Sequence, residues 1–364
     1  MSRSRCSVPP VPPPSPPIRV VFFGTPEIAL PTLERLIAGP HEVVAVVSQP
    51  DRPRGRGRKL TPSPVSEAAL RAGISLLRPE RVGDAEIVAE LEALTPDLGV
   101  VVAFGQFIPK KIREMPRCGF LINAHASLLP KYRGAAPIAR AIAEGERETG
   151  ISVMRIEKEM DAGPVALVEK TPIGERENTA ELSARLADIA ADAISKAVDL
   201  IARDEIIWTD QDASQASIAQ KLRKSDATLA LREDARSLAC RIHALSPRPG
   251  GLLTLLGGDE PDDAEGAPLR ISRADTAPFE AGAVPEAGTI ERNAGEVGDV
   301  ALRIATGDGW LIPLVLQRPG GKALPVADFL RGFEIASDAR CALVDADSDA
   351  RAGGDPVRSE TAPS

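Results

Sequence analysis

Asn123, His125 and Asp161 are the residues of this chain whose types suit chemistry at a carbonyl carbon. Asparagine offers an uncharged amide donor, histidine a donor or proton shuttle near neutral pH, and aspartate a carboxylate that can orient an imidazole and take up a proton. Together they suit a step in which negative charge builds on a carbonyl oxygen while an attacking amine loses a proton. One of the chain's three histidines stands in "NAHASLLPKYRGAAPI", residues 123–138, just past an apolar run. Packing accounts for the apolar residues there but not for Asn123, His125 or Arg133. A histidine at a strand end is more often structural than catalytic, and an Asp before Ala-Gly can serve only to cap a turn. The chain has no G-x-S-x-G elbow and no cysteine beside a histidine at a strand end. Direct transfer to an external amine therefore fits better than an acyl-enzyme.

Such residues need a scaffold, and the pattern from Ile18 onward supplies one. "IRVVFFG", "HEVVAVVSQ", "LGVVVAFG" and "GFLINAH" are continuous apolar strands. Helical segments lie between them: "PEIALPTLERLIAG", with Pro26 in its first turn, "AEIVAELEAL" and "IPKKIREM". Strands apolar on both faces, alternating with helices, predict a parallel-rich sheet covered on both sides, the α/β class. Gly24-Thr25-Pro26, Gln49-Pro50-Asp51, Phe104-Gly105-Gln106 and Asn123 to Ser127 then fall at the carboxyl ends of strands, where open α/β sheets bind ligands. No G-x-G-x-x-G follows the first strand, which argues against a dinucleotide. A long helix opens at Asn178 with Glu181 three residues on, a capping box, and Leu182, Leu186, Ile189, Ala193 and Ile194 form its apolar face.

Past Trp208 the texture changes. A polar connector leads to "GLLTLL", "LRISRAD", "GTIERN", "DVALRIAT" and "WLIPLVLQRPGG", short strands with Gly turns that predict a small C-terminal β-barrel. The expected divisions are a disordered Pro-rich leader (1–17), a catalytic domain (18–208), a linker (209–230), the barrel (231–336) and a disordered acidic tail (337–364). With 364 residues, two domains are the better prior than one. Prolines between positions 9 and 17 forbid an amphipathic transit helix, and the leader has no apolar core of a secretory signal. No stretch approaches the roughly 18 apolar residues of a membrane span. The net charge of −8 argues against general nucleic-acid affinity but not against a local basic patch. Four cysteines far apart predict a reduced protein with no metal.

"NAHASLLPKYRGAAPI" together with "ETGISVMRIEKEMDAGPV" resembles the signature of the folate-dependent formyltransferases. The resemblance implies a Rossmann-like N-terminal domain, 10-formyltetrahydrofolate as formyl donor, and catalytic roles for Asn123, His125 and Asp161. It implies that the pterin is held behind Ser127, Leu128, Leu129 and Pro130. "FFGTPE", "SQPDRPRGRGRKLTPSPV" and "RGAAPI" resemble the branch that formylates the amine of initiator methionyl-tRNA for translation initiation. "QKLRKSDATL", "IHALSPRPGG" and "ATGDGWLIPLVLQRPGGKAL" are similar to that branch's OB-like tRNA-binding barrel. Arg54, Arg56, Arg58 and Lys59 are then the residues expected to meet the acceptor stem. A bacterial cytoplasmic monomer is the expectation, with an organellar matrix as the other compartment. The alternative substrate is the amine of a sugar nucleotide of the UDP-aminoarabinose type, for which the basic loop has no purpose. A glycinamide ribonucleotide formyltransferase would not need the barrel, and a non-enzymatic RNA-binding module would leave Asn123, His125 and Asp161 replaceable. Two departures stand out: Ala230-Leu231 where the family commonly has Asp-Trp, and the acidic insertion "DEPDDAEGAP".

Overall fold

The structure, a computed structural model, describes residues 17–54, 59–257, 266–280, 282, 284–292 and 302–343. The leader up to residue 16, the loop centre at 55–58, most of the acidic insertion and the tail from residue 344 lie outside the described residues. The chain forms two compact units: Met1–Arg133, Gly150–Lys170 and Ala184–Ala216 in the first, Gly134–Thr149, Thr171–Ser183 and Ser217–Ser364 in the second.

Seven strands make the sheet of the first unit: β1 (Arg19–Gly24), β2 (Glu42–Val47), β3 (Leu76–Leu77), β4 (Leu98–Val102), β5 (Leu121–His125), β6 (Glu148–Arg155) and β7 (Val165–Pro172), in the order β7-β6-β5-β4-β1-β2-β3. The expected parallel core is present in β1–β2, β1–β4, β2–β3 and β4–β5. β6 runs antiparallel to β5, pairing His125 with Ser152 and Ile122 with Arg155. Side chains such as Phe23, Val47, Leu91, Val101 and Leu121 fill the core. Each fully buried side chain of this size contributes about 1.5–3 kcal/mol.

The helices are α1 (Leu30–Ala38), α2 (Pro64–Ala72), α3 (Ala85–Ala93), α4 (Lys110–Arg113), α5 (Pro137–Ala143), α6 (Thr179–Ala202), α7 (Ala235–Ala244) and α8 (Val326–Gly332). α1 begins later than the pattern suggests, after a 3-10 turn at Glu27–Ala29. Pro31 has no N–H to give an interior turn and so occupies the start of the α-helix proper. The capping box of α6 is formed: Asn178 Oδ1 accepts from the N–H groups of Ala180 and Glu181, and Glu181 Oε2 accepts from the Asn178 N–H.

Three carboxyl-end loops of the parallel core are tied together. Thr25 Oγ1 donates to the Phe104 carbonyl at 3.0 Å and accepts from the Gln49 N–H at 3.3 Å, and Gln49 Nε2 donates to the same carbonyl at 3.3 Å.

In the second unit β8 (Gly251–Leu256), β9 (Ala267–Pro278), β10 (Ile290–Glu291), β11 (Arg303–Ala305), β12 (Gly309–Gln317) and β13 (Arg340–Cys341) run in the order β10-β11-β12-β9-β8-β13. β13 corrects the expected boundary at 336. Its Arg340 bridges Thr289 next to β10, and the Cys341 N–H donates to the Gly288 carbonyl at 2.9 Å, so this strand brings the two ends of the sheet together. An edge strand left open exposes a row of unpaired backbone groups, which is why a two-residue strand without any apolar run is recruited. Burial pushes the Cys341 thiol up to about 12.

The expected linker is also partly core. Leu229 donates its N–H to the Leu252 carbonyl, and Leu229 and Leu231 pack with Leu238, Leu253 and Leu311, so the Ala230-Leu231 departure fills an apolar core rather than a loop. The segment Thr171–Ser183 groups with the second unit through the Thr179 hydroxyl, which donates to the Ala244 carbonyl at 2.6 Å, and through ion pairs of Arg176 with Asp275 and of Glu181 with Arg273. Burial disfavours the charged form of Glu181, but the Asn178 N–H and the Arg273 guanidinium together hold its carboxyl below the usual range.

His243 on α7 is buried, and its Nε2 accepts from the Ala274 N–H at 3.2 Å. Burial pushes its imidazole down from the ordinary value, with Arg273 nearby acting in the same direction and the Ala274 contact, Asp275 and Glu181 acting against it. The unfolded chain therefore binds a proton that the folded chain refuses, at pH below about 6.5. Stability of the second unit is full above that pH and falls as pH drops toward the lowered folded value. Thermal melting between pH 7.5 and about 5 is expected to show this loss in the wild type and a smaller loss in His243→Gln; equal slopes refute it.

Candidate active site

β5 ends at the carboxyl edge of the sheet with Asn123 and His125, two residues apart and hence on one face. The Asn123 side chain is half-buried, and its amide makes no hydrogen bond with the described residues. It is a donor held on a rigid strand with its hydrogen-bonding capacity unspent.

His125 is 6% exposed. Its Nε2 lies 2.8 Å from the Tyr132 carbonyl, and its Nδ1 lies 3.5 Å from Asp161 Oδ2. A carbonyl only accepts, so Nε2 carries a hydrogen. A carboxylate also accepts, so the arrangement is fully complementary when the ring has two N–H groups. The Asp161 contact is the longer and looser of the two.

The turn after His125 is held from within. Ser127 is fully buried and its hydroxyl donates to the Lys131 carbonyl at 2.6 Å. The Ser152 hydroxyl donates to the Ser127 carbonyl at 2.7 Å and accepts from the Leu129 N–H at 3.1 Å. Ser127 therefore shapes the turn with its side chain, while Leu128, Leu129 and Pro130 are left half-buried on its surface. Ser152 did not stand out in the sequence. Its signal was a lone hydroxyl in the apolar run "GISVMRI", paired with His125 across the sheet.

Asp161 reaches His125 from the loop between β6 and β7, with a φ of 50°, in the left-handed region. Gly163 follows for a packing reason: a Cβ there would lie 2.0 Å from the Arg155 carbonyl oxygen. The structure thus brings Asp161 to His125, a relation the sequence alone does not give, with Asn123 on the same face of β5 two residues before His125. Gln211, which the sequence leaves in a polar connector, also touches the Asp161 loop.

The basic stretch forms a two-stranded hairpin, Arg52–Arg54 against Lys59–Thr61, with Arg54 directly opposite Lys59. Arg56 and Arg58 lie outside the described residues. Among the described residues no group of three or more His, Cys, Asp or Glu side chains can hold a metal ion, and no helix is long and apolar enough to cross a membrane.

Gly163→Ala is expected to destabilise the first unit by about 1–3 kcal/mol by forcing the Asp161 loop off the Arg155 backbone. Chemical denaturation checks this; an unchanged midpoint would show that the loop yields without cost.

Family descriptions of formyl transferase match residues 18–198, and of the formyl transferase C-terminal domain residues 221–334. The methionyl-tRNA formyltransferase of Methylococcus capsulatus is 42% identical over 88% of this chain and 98% of its own length. That of Geotalea daltonii is 40% identical over 90% and 100%. HypX of Aquifex aeolicus, solved with tetrahydrofolic acid, has a TM-score of 0.55 at 18% identity, covering 86% of this chain and 47% of its own. An N-formyltransferase of Helicobacter canadensis, solved with folinic acid and dTDP-3-aminofucose, has a TM-score of 0.56 at 15% identity, covering 81% and 99%. At such identities the two structures speak for the fold alone. The identities near two-fifths extend across both parts of the chain, so the protein belongs to the methionyl-tRNA formyltransferase family of formyl-transferring enzymes.

Proposed function

We propose that the protein transfers the formyl group of 10-formyltetrahydrofolate to the free amino group of initiator methionyl-tRNA. The observation that carries this reading is the unspent Asn123 amide beside the His125–Asp161 contact at the carboxyl edge of the sheet. In the reaction the amine lone pair forms a bond to the formyl carbon, the bond from that carbon to N10 of the folate breaks, and one proton passes from the amine to N10. Asn123 donates to the oxygen on which charge builds. His125, anchored at Nε2 by Tyr132, shares its Nδ1 hydrogen between Asp161 and the reacting group. Asp161 takes the amine proton, directly or through water, and the pair returns it to the leaving nitrogen.

No strong base is required. A free α-amino group has a pKa of roughly 7.7–8.0, and esterification of the carboxyl lowers it further, so much of the acceptor is already neutral. The Ser127–Pro130 turn is the proposed seat of the pterin, with backbone groups and the half-buried Leu128, Leu129 and Pro130 in contact and Ser127 maintaining the turn.

The hairpin supports a polyanionic acceptor. The backbone register sets Arg54 across from Lys59, and a segment with five basic residues and one acid suits a row of phosphates. A small amine substrate gives this arrangement no purpose. Incubation with 10-formyltetrahydrofolate and charged initiator tRNA should yield formyl-methionine; activity confined to a sugar-nucleotide amine would replace the reading.

His125→Ala is expected to lower kcat about a hundredfold or more while folate affinity stays near that of the wild type. Near-normal turnover would remove His125 from the mechanism. Neutralising Arg54, Arg56, Arg58 and Lys59 together should weaken tRNA binding. It should also flatten the salt dependence, by about 0.7 in log–log slope for each phosphate no longer paired on a single strand and about 0.9 for each one on a duplex. A variant with unaltered affinity and slope would take the hairpin out of the interface.

A further inference from the structure

The register of the sheet sets a problem for Asp161. β6 leaves the sheet at Arg155, opposite Ile122, and the next backbone contact joins the Ile156 N–H to the Leu121 carbonyl. His125 lies three residues further along β5, about 10 Å away. The loop must therefore double back along β5 to bring Asp161 to His125, and it does so with Asp161 in a left-handed conformation.

Gln211 holds that return path. Its Nε2 donates to the Asp161 carbonyl at 2.8 Å and to the Gly163 carbonyl at 2.7 Å, using both amide hydrogens across the turn. Its Oε1 accepts from Arg133 Nε at 3.0 Å and from Arg133 Nη2 at 2.8 Å, so the amide cannot flip without losing both pairs. The segment that delivers Gln211 is itself pinned. Thr209 exchanges backbone hydrogen bonds with Val165 at 2.8 and 2.9 Å, and the Arg155 guanidinium stacks on the rings of Phe120 and Trp208 at 4.2 and 4.5 Å. Arg133, which packing did not explain, thus has a task one step removed from the site.

We propose that Gln211, oriented by Arg133, is a positioning residue for the formyl transfer: it clamps the Asp161–Gly163 turn so that the Asp161 carboxylate faces His125. This rests on the reading of the reaction given above, and on the His125–Asp161 geometry independently of it.

The test has two arms. In steady-state assays with 10-formyltetrahydrofolate and charged initiator tRNA, product from the wild type bears on the reaction alone. Gln211→Ala should lower kcat about 10- to 100-fold, the scale of a small misplacement of a reacting group, with both KM values within about threefold. Gln211→Glu keeps the size and the Arg133 pairing but offers no N–H to the two carbonyls, and should behave alike. Because Gln211 acts through Asp161, the Gln211→Ala, Asp161→Asn double variant should be no slower than Asp161→Asn within about twofold. The second arm needs no activity. The ring-nitrogen NMR signals of His125, identified among three histidines by their loss in His125→Asn, should move in Gln211→Ala toward their positions in Asp161→Asn. Losses that multiply in the double variant, or His125 signals that remain at wild-type positions in Gln211→Ala, overturn the assignment.

Discussion

The contact between His125 and Asp161 makes the strictest demand on the first unit. One partner is fixed on a central strand with neighbours on both sides, and the other arrives on a loop that has left the sheet three residues away in register. A left-handed residue costs roughly 1–3 kcal/mol when it is not glycine. The two hydrogen bonds from Gln211 contribute about 0.5–1.5 kcal/mol each. The two sums are of the same size, so the turn is held but not by a wide margin. Asp tolerates this conformation better than most side chains, and Gly163 lets the turn lie against the Arg155 backbone where a methyl group would collide.

Around this contact, side-chain hydrogen bonds tie the loops at the carboxyl edge of the sheet. The loops after β1, β2 and β4 are laced by Thr25, Gln49 and the Phe104 carbonyl, and the turn after β5 by Ser127 and Ser152. Each lacing satisfies buried backbone groups that would otherwise have no partner. Each also leaves a particular group untied, above all the Asn123 amide. In the proposed reaction, a site that holds its backbone tightly while sparing its donors meets charge as it forms, without reorganising at the moment of reaction.

The chain carries a net −8, which repels a polyanion at long range. Against that background the hairpin puts Arg54 opposite Lys59 and keeps its one acid, Asp51, occupied with Arg78 at 2.7 Å. Local positive charge against a net negative background favours docking at that place over diffuse association.

Much of the molecule follows from the chain alone. Continuous apolar runs dictated the parallel core, short strands with glycine turns the barrel, and Asn178 with Glu181 the start of α6, because each signal is local and repeats with the period of its element. Asn123 and His125 were legible as a pair, since residues two apart on a strand share a face. Their relation to Asp161 was not, because sequence separation carries no distance. The role of Gln211 was hidden for the same reason: a single polar residue in a polar segment has no periodicity to betray it. Arg340–Cys341 offered only two residues, too few to read as a strand, and Leu229 to Leu231 were masked by the polar residues before them. In each case a long-range partner decided the outcome. The edges of β8 and β10 needed covering, an apolar core needed filling, and a strained turn needed two donors, and these needs exist only once the chain is folded.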